Sequence, residues 1–262
     1  MDMPYSSESA FKSNLQDQTN KNLAIANSNR IKVLIAIHDF YDSPHPFGKN
    51  LYPDIYLWLE ALKDLASKVN YDWYIKTHPD IAGNGEVILK EFCSRNKGFT
   101  ILSSKTSHHE IINQGINFAL TVYGTIAMEY PLLGVPVINA SIKNPHIAYN
   151  FSVSPKDVFE FEKLVLNLEN FSHEIPKNEI FEYYFMHHIH KVDSLLFKNY
   201  DLYLQDMGGY KNSTTISVYR YYIHSSNKLE SNITIRAFLN FISSGEERLQ
   251  LAHFIEKKDF SK

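Results

Sequence analysis

The stretch at residues 121–136, TVYGTIAMEYPLLGVP, constrains this chain more than any other. Ile116 to Leu120, just before it, are mostly apolar and read as a buried strand. Gly124 breaks the run, and Thr125 carries a side chain that can cap a helix. Residues 126–133 suit a short helix, Gly134 suits its C-terminal exit, and residues 135–138 are strand-like again. Strand, small-residue turn, helix and strand make a βαβ unit. The glycine and hydroxyls of the turn sit where a helix N-terminus can receive an anion. Glu129 follows Thr125 by four residues, about one helical turn, so both can face one side. A backbone-and-hydroxyl anion site beside a carboxylate suits a nucleotide, with phosphate on the turn and ribose hydroxyls on the carboxylate. The same pattern fits an ordinary turn with a surface glutamate, and this stretch alone does not separate the two.

Two upstream segments strengthen the α/β reading. Residues 31–37, IKVLIAI, form an apolar, β-branched run expected as a central strand. The loop HDFYDSPHPFG follows, and loops at strand C-termini in open α/β sheets are where ligands bind. His38, Asp39, Asp42 and His45 are therefore candidate site residues. His and Asp also ligate metals, but their spacing matches no closed zinc pattern. A rigid proline-rich loop with mutually satisfied polar groups is the plainer alternative. Residues 71–75 read as a second strand running into Lys76, Thr77, His78 and Pro79, which present a cation and an imidazole at another strand end.

Helices are expected at 53–68, with Pro53 in the first turn, and at 86–96. Strands are expected at 99–102 and 118–121. Ser107 can cap a short helix to Gln114, whose first turn carries His108 and His109 as solvated side chains. Ser154, Pro155, Lys156 and Asp157 open a further helix, with Ser154 as cap, running to about Glu169. Pro176 separates it from a long aromatic helix over 178–200, whose FEYYFMHHIH run reads as packing. A pair of glycines, Gly208 and Gly209, marks a boundary, and 232–258 reads as one or two amphipathic helices.

Composition narrows the class. With 44% hydrophobic and 14% aromatic residues over 262 positions, the chain can bury a sizeable core. A net charge of −3 gives no reason to expect nucleic-acid binding. A single cysteine, Cys93, excludes an internal disulfide and fits a reducing compartment. The expected location is cytoplasmic. No apolar run reaches the roughly 18 residues of a membrane span, so any membrane association would be peripheral, on the cytoplasmic face of the inner membrane.

Together, HDFYDSPHPFG, IKTHPD and TVYGTIAMEYPLLGVPVINA resemble the bacterial capsule polysaccharide biosynthesis proteins, a family that includes transferases of the acidic sugar Kdo. The likeness covers residues 31–200. The His-Pro and hydroxyl motifs are also similar to those of bacterial sialyltransferases and polyglycerol-phosphate polymerases. The resemblance implies one Rossmann-like half of a GT-B fold, a parallel sheet flanked by helices; the tail beyond it reads as a helical C-terminal appendage. It implies a CMP-linked nucleotide-sugar donor as substrate, no separate cofactor and no metal. His78, its loop shaped by Pro79, would bind the donor phosphate and help the nucleotide leave, with Lys76 adding charge. Tyr123, Gly124 and Thr125 would contact the donor at the helix start, and Glu129 would bind ribose hydroxyls. The His38–His45 loop would line the donor sugar, and Asp39 or Asp42 would serve as base or nucleophile.

The expected organisation is a polar leader at 1–30, the nucleotide-sugar domain at 31–205 and a helical tail at 206–262. A full GT-B enzyme has two Rossmann-like domains. A glycan or glycolipid acceptor would therefore call on a second glycosyltransferase domain or chain. The other readings are a non-catalytic partner module of a capsule-assembly complex, and a polyol-phosphate transferase or nucleotide-sugar epimerase on a similar scaffold.

Overall fold

The structure, a computed structural model, describes residues 25–41, 49–78, 84–104, 106–190, 203, 205–208, 216–220 and 233–255. The chain divides into two compact units, residues 1–180 and 181–262.

The first unit is built on five parallel strands: β1 Lys32–Ile37, β2 Asp72–Thr77, β3 Phe99–Leu102, β4 Phe118–Thr121 and β5 Val137–Asn139. Their order is β3-β2-β1-β4-β5, so the winding reverses between β1 and β4. This is the Rossmann-like α/β arrangement expected from the sequence. Ile35 pairs with Ile75 on one side and with Leu120 on the other. β2 extends two residues beyond its expected end and carries Lys76 and Thr77 as strand residues.

Strand residues alternate between two cores. Val33, Ile35, Ile37, Trp73 and Ile75 pack under α1 (Ile55–Ala66), α2 (Gly85–Arg95) and α5 (Val158–Val165). Leu34, Tyr74, Leu102 and Ala119 pack under α3 (His108–Asn113) and α4 (Ile126–Leu132). Both faces of the sheet are covered, which is why β1 reads as a near-continuous apolar run.

Two helices start later than expected, because a carboxylate supplies the cap. Asp54 caps α1, its side chain accepting from Leu57 N at 2.7 Å, so Pro53 lies just ahead of the helix instead of in its first turn. Asp157, not Ser154, caps α5, accepting from Glu160 N at 2.8 Å. The Ser154 hydroxyl instead accepts from Asn139 Nδ2 at 3.1 Å and Asn144 Nδ2 at 3.0 Å. Ser107 does cap α3, accepting from Glu110 N at 3.1 Å. Pro131 within α4 offers no backbone donor, and Gly134, at φ +86°, turns the chain out of the helix as expected. Ahead of β1, Ile25 is buried and Ala26 N donates to the Tyr74 hydroxyl at 2.9 Å. Ser28 and Arg30 both bind the Asp72 carboxylate.

In the second unit, the helix expected to run from 178 to 200 is shorter. α6 (Lys177–Tyr184), which starts in the first unit, gives way to a π turn over Phe185–Ile189, and 191–200 lie outside the described residues. The His187 ring stacks on Tyr183 with centroids 4.2 Å apart, in line with a packing role for this aromatic run. α7 (Ile233–Ser244) ends at Gly245, φ +71°, before a 3-10 turn over Leu251–Phe254. There His253 accepts from Gln250 N at 2.9 Å. Among the described residues no helix is long and apolar enough to cross a membrane.

Asp54→Ala should cost about 1 kcal/mol, because an orphan helix donor loses its acceptor. Urea unfolding of the two proteins checks this, with an unchanged slope expected.

Candidate functional site

A cleft opens at the carboxyl ends of β1, β2 and β4, beside the point where the winding reverses. Its wall includes His38 from β1, Lys76 and His78 from β2, Gly124, Thr125 and Glu129 from the turn and α4, and His108 from α3. Its empty volume, open solvent included, is about 530 Å³. The strand alternation explains the gathering. Lys76 stands two residues after Tyr74 and so points to the face covered by α3 and α4.

Thr121 holds the turn together. Its side chain is fully buried. Its Oγ1 lies 3.4 Å from Ala36 O and 3.3 Å from His38 Nε2, and it accepts from Gly124 N at 3.3 Å. The His38 ring also stacks on Tyr123, centroids 4.3 Å apart. A Cβ on Gly124 would stand 2.8 Å from Thr121 Oγ1 and 3.3 Å from His38 Nε2. The glycine is therefore required by how closely the turn packs on β1, without any ligand. Thr125 occupies the expected N-cap position but is helical there, and its side chain caps nothing. Its hydroxyl bonds the Glu129 carboxylate instead. With only seven residues, α4 offers a weak dipole. The fixed positive charge of the cleft comes from Lys76.

Lys76 is 3% exposed, and its Nζ donates to Ser104 O at 3.0 Å. Burial pushes its pKa down to about 8, with the nearby Glu129 charge opposing the shift. Burial likewise raises Glu129, against the Thr125 hydrogen bond and the Lys76 charge. Each charge thus opposes the effect of burial on the other. His78 is exposed at the cleft mouth.

His108 corrects the sequence expectation. It is largely buried rather than solvated, and Nδ1 lies 2.9 Å from the Tyr130 hydroxyl. Burial, then the charges of Lys76 and His109, push its pKa down to about 3. His109, one position on, is exposed as expected. A signal was present: His108 precedes the fully buried Ile111 by three residues, so both fall on one helix face.

The other candidates do not join this wall. Asp39 Oδ1 accepts from Tyr41 N at 3.1 Å, within its own loop, and Asp39 is not on the cleft lining. Asp42, His45 and Pro79 lie outside the described residues. Cys93 is half-buried, and burial pushes its thiol up to about 11.

No protein-family model matches the sequence, and no curated protein matches it. The wall teichoic acid polymerase TagF is similar in structure, at 11% sequence identity and a TM-score of 0.35. The match covers 69% of this chain and 43% of TagF, so the chain spans less than half of that protein. So distant a likeness carries no argument about what this cleft does.

Three outcomes follow from the geometry. Gly124→Ala should destabilise the fold by about 1–3 kcal/mol, because the added methyl meets a buried hydroxyl. Thermal unfolding measures this, and the His38 ring signals should shift in NMR. Lys76 should titrate near 8, and in Glu129→Gln it should titrate lower, because the carboxylate that holds its proton is gone. NMR of the lysine side chain reads both. His108 has a folded pKa below its ordinary value, so the unfolded chain takes the proton first. Its contribution, fully present at neutral pH, is lost as pH falls through the range between about 6.5 and about 3. His108→Asn should show a shallower acid limb than wild type in denaturation series between pH 7 and 4.

Proposed function

We propose that the cleft binds the nucleotide part of an activated sugar, and that this chain is the donor-binding half of a glycosyltransferase. The observation that carries the reading is the buried Lys76 ammonium set against Glu129 where the winding of a Rossmann-like sheet reverses. A desolvated cation is a strong partner for phosphate, since water no longer screens it. The Glu129 carboxyl group, whose charged form the nearby ammonium favours, is placed to accept from a pair of ribose hydroxyls. His78 at the mouth donates to the same phosphate and stabilises charge as the nucleotide leaves. His38, clamped by Thr121 and Tyr123, shapes the wall on the β1 side. Asp39 stands off the wall and receives no role here.

The finer reading is a CMP-linked donor with a Kdo-like acidic sugar, used in bacterial capsule or surface polysaccharide synthesis. It is supported by the motif resemblance of the three strand-end segments. The acceptor, a glycan or glycolipid, would be bound by a second domain or chain, at the cytoplasmic face of the membrane.

Calorimetric titration with CMP, CDP, UDP and GDP tests this. The wild type should bind a cytidine nucleotide. Lys76→Met should weaken binding by roughly 10- to 100-fold, the range for a hydrogen bond to a charged group. Glu129→Gln should weaken it too, with a smaller penalty for the 2′-deoxy ligand. Affinity should fall as pH rises through about 8, where Lys76 loses its proton. Lys76→Met should abolish that pH dependence. Wild-type affinity in both variants, or no nucleotide bound by wild type at millimolar concentration, overturns the proposal.

A further inference from the structure

The nucleotide reading leaves one wall residue without a task. His108 lines the cleft beside Lys76, and its charge-sensitive ring responds to that ammonium. Its Nδ1 is engaged by the Tyr130 hydroxyl at 2.9 Å, and the two rings meet edge to face with centroids 5.3 Å apart. Tyr130 is itself fully buried on α4, one residue after Glu129. The ring is thus pinned through one nitrogen by a partner that cannot move far, which leaves Nε2 as its remaining hydrogen-bonding atom. A second cation here would be repelled by Lys76, and the buried ring stays neutral. It therefore adds no charge–charge attraction for phosphate. A neutral imidazole with one fixed nitrogen offers a single directed hydrogen bond, and with Lys76 placed to take the phosphate an uncharged group is left for it.

We propose that His108 is a ligand-contacting residue of the cleft, positioned by Tyr130, which hydrogen-bonds an uncharged polar group of the nucleoside while Lys76 takes the phosphate. The inference rests on the cleft binding a nucleotide, as proposed above. It divides the wall into a charge-reading part, Lys76 and His78, and a part that reads hydrogen-bonding groups, Glu129 and His108. Tyr130 acts through His108 and is a positioning residue.

The test compares CMP with inorganic phosphate on the full chain, followed by 31P and 1H–15N NMR titration. Four proteins are compared: wild type, His108→Phe, Tyr130→Phe and Lys76→Met. His108→Phe should weaken CMP about fivefold, the scale of one neutral hydrogen bond, and leave inorganic phosphate unchanged. Lys76→Met should weaken both ligands. Tyr130→Phe removes one oxygen from a buried ring. It should shift the His108 ring-nitrogen signals toward a mixture of tautomers and weaken CMP by a smaller factor. That variant keeps the idea testable if His108→Phe does not fold. If His108→Phe binds CMP as wild type does, this inference falls while the nucleotide reading stands. If His108→Phe weakens CMP and phosphate by the same factor, His108 is a wall of the charge site and the inference is likewise overturned. If wild type binds neither CMP nor any other nucleotide, both readings fall together.

Discussion

The two-residue repeat of side chains along β1, β2 and β4 is the constraint on which the site depends. It sends Ile35 and Ile75 into the core under α1 and sends Leu34, Tyr74 and Lys76 to the opposite face. A one-residue slip of β2 against β1 would invert every one of these assignments. Lys76 would then face the core that holds Trp58 and Leu62, a charge in apolar surroundings. The buried pattern on both faces fixes the register, and the register delivers the ammonium to the cleft.

Within the cleft, burial acts on three ionisable groups in different ways. Lys76 and Glu129 are each pushed toward neutrality and each is held back by the other's charge. His108 has no such support: its neighbours with charge are cations, and burial and charge act together to keep it neutral. The outcome is a wall on which Lys76 and Glu129 favour each other's charged form, beside a His108 ring held neutral. A ligand whose phosphate approaches Lys76 must share that cation with Glu129. On the proposed reading, a ligand that satisfies both at once, with an anionic group and hydroxyls at separate points, is favoured over a simple anion.

Much of this was legible in the sequence, because the strands are short apolar runs bounded by sharp punctuation. IKVLIAI, the strand before TVYGT and the exit at Gly134 all lie where pattern places them, and the resulting sheet brings His38, Lys76, His78, Gly124, Thr125 and Glu129 to one cleft. What failed was local detail governed by tertiary partners. Thr125 reads as a cap, but its hydroxyl turns to the Glu129 carboxylate one helical turn on. Ser154 reads as a cap, but it is already engaged by Asn139 and Asn144 across the loop. Two adjacent histidines read as one solvated pair, while α3 buries one and exposes the other. Gly124 reads as a ligand's glycine, yet its nearest demand is the packing of Thr121 and His38.

The segment from Ile25 to Arg30 has a consequence for the boundary of the domain. It buries Ile25 among residues of the second core, donates from Ala26 N to the Tyr74 hydroxyl, and sets Ser28 and Arg30 on the Asp72 carboxylate. Asp72 opens β2 and is 8% exposed. A shortened version that began at β1 would strip a nearly buried carboxylate of both its partners and leave an aromatic hydroxyl without its donor. The strand that carries the cleft's cation at one end would then carry an uncompensated anion at the other. The first strand of the sheet is therefore not the first structural element of the domain; a backbone tie that precedes it is part of what makes β2 a stable place to bury charge.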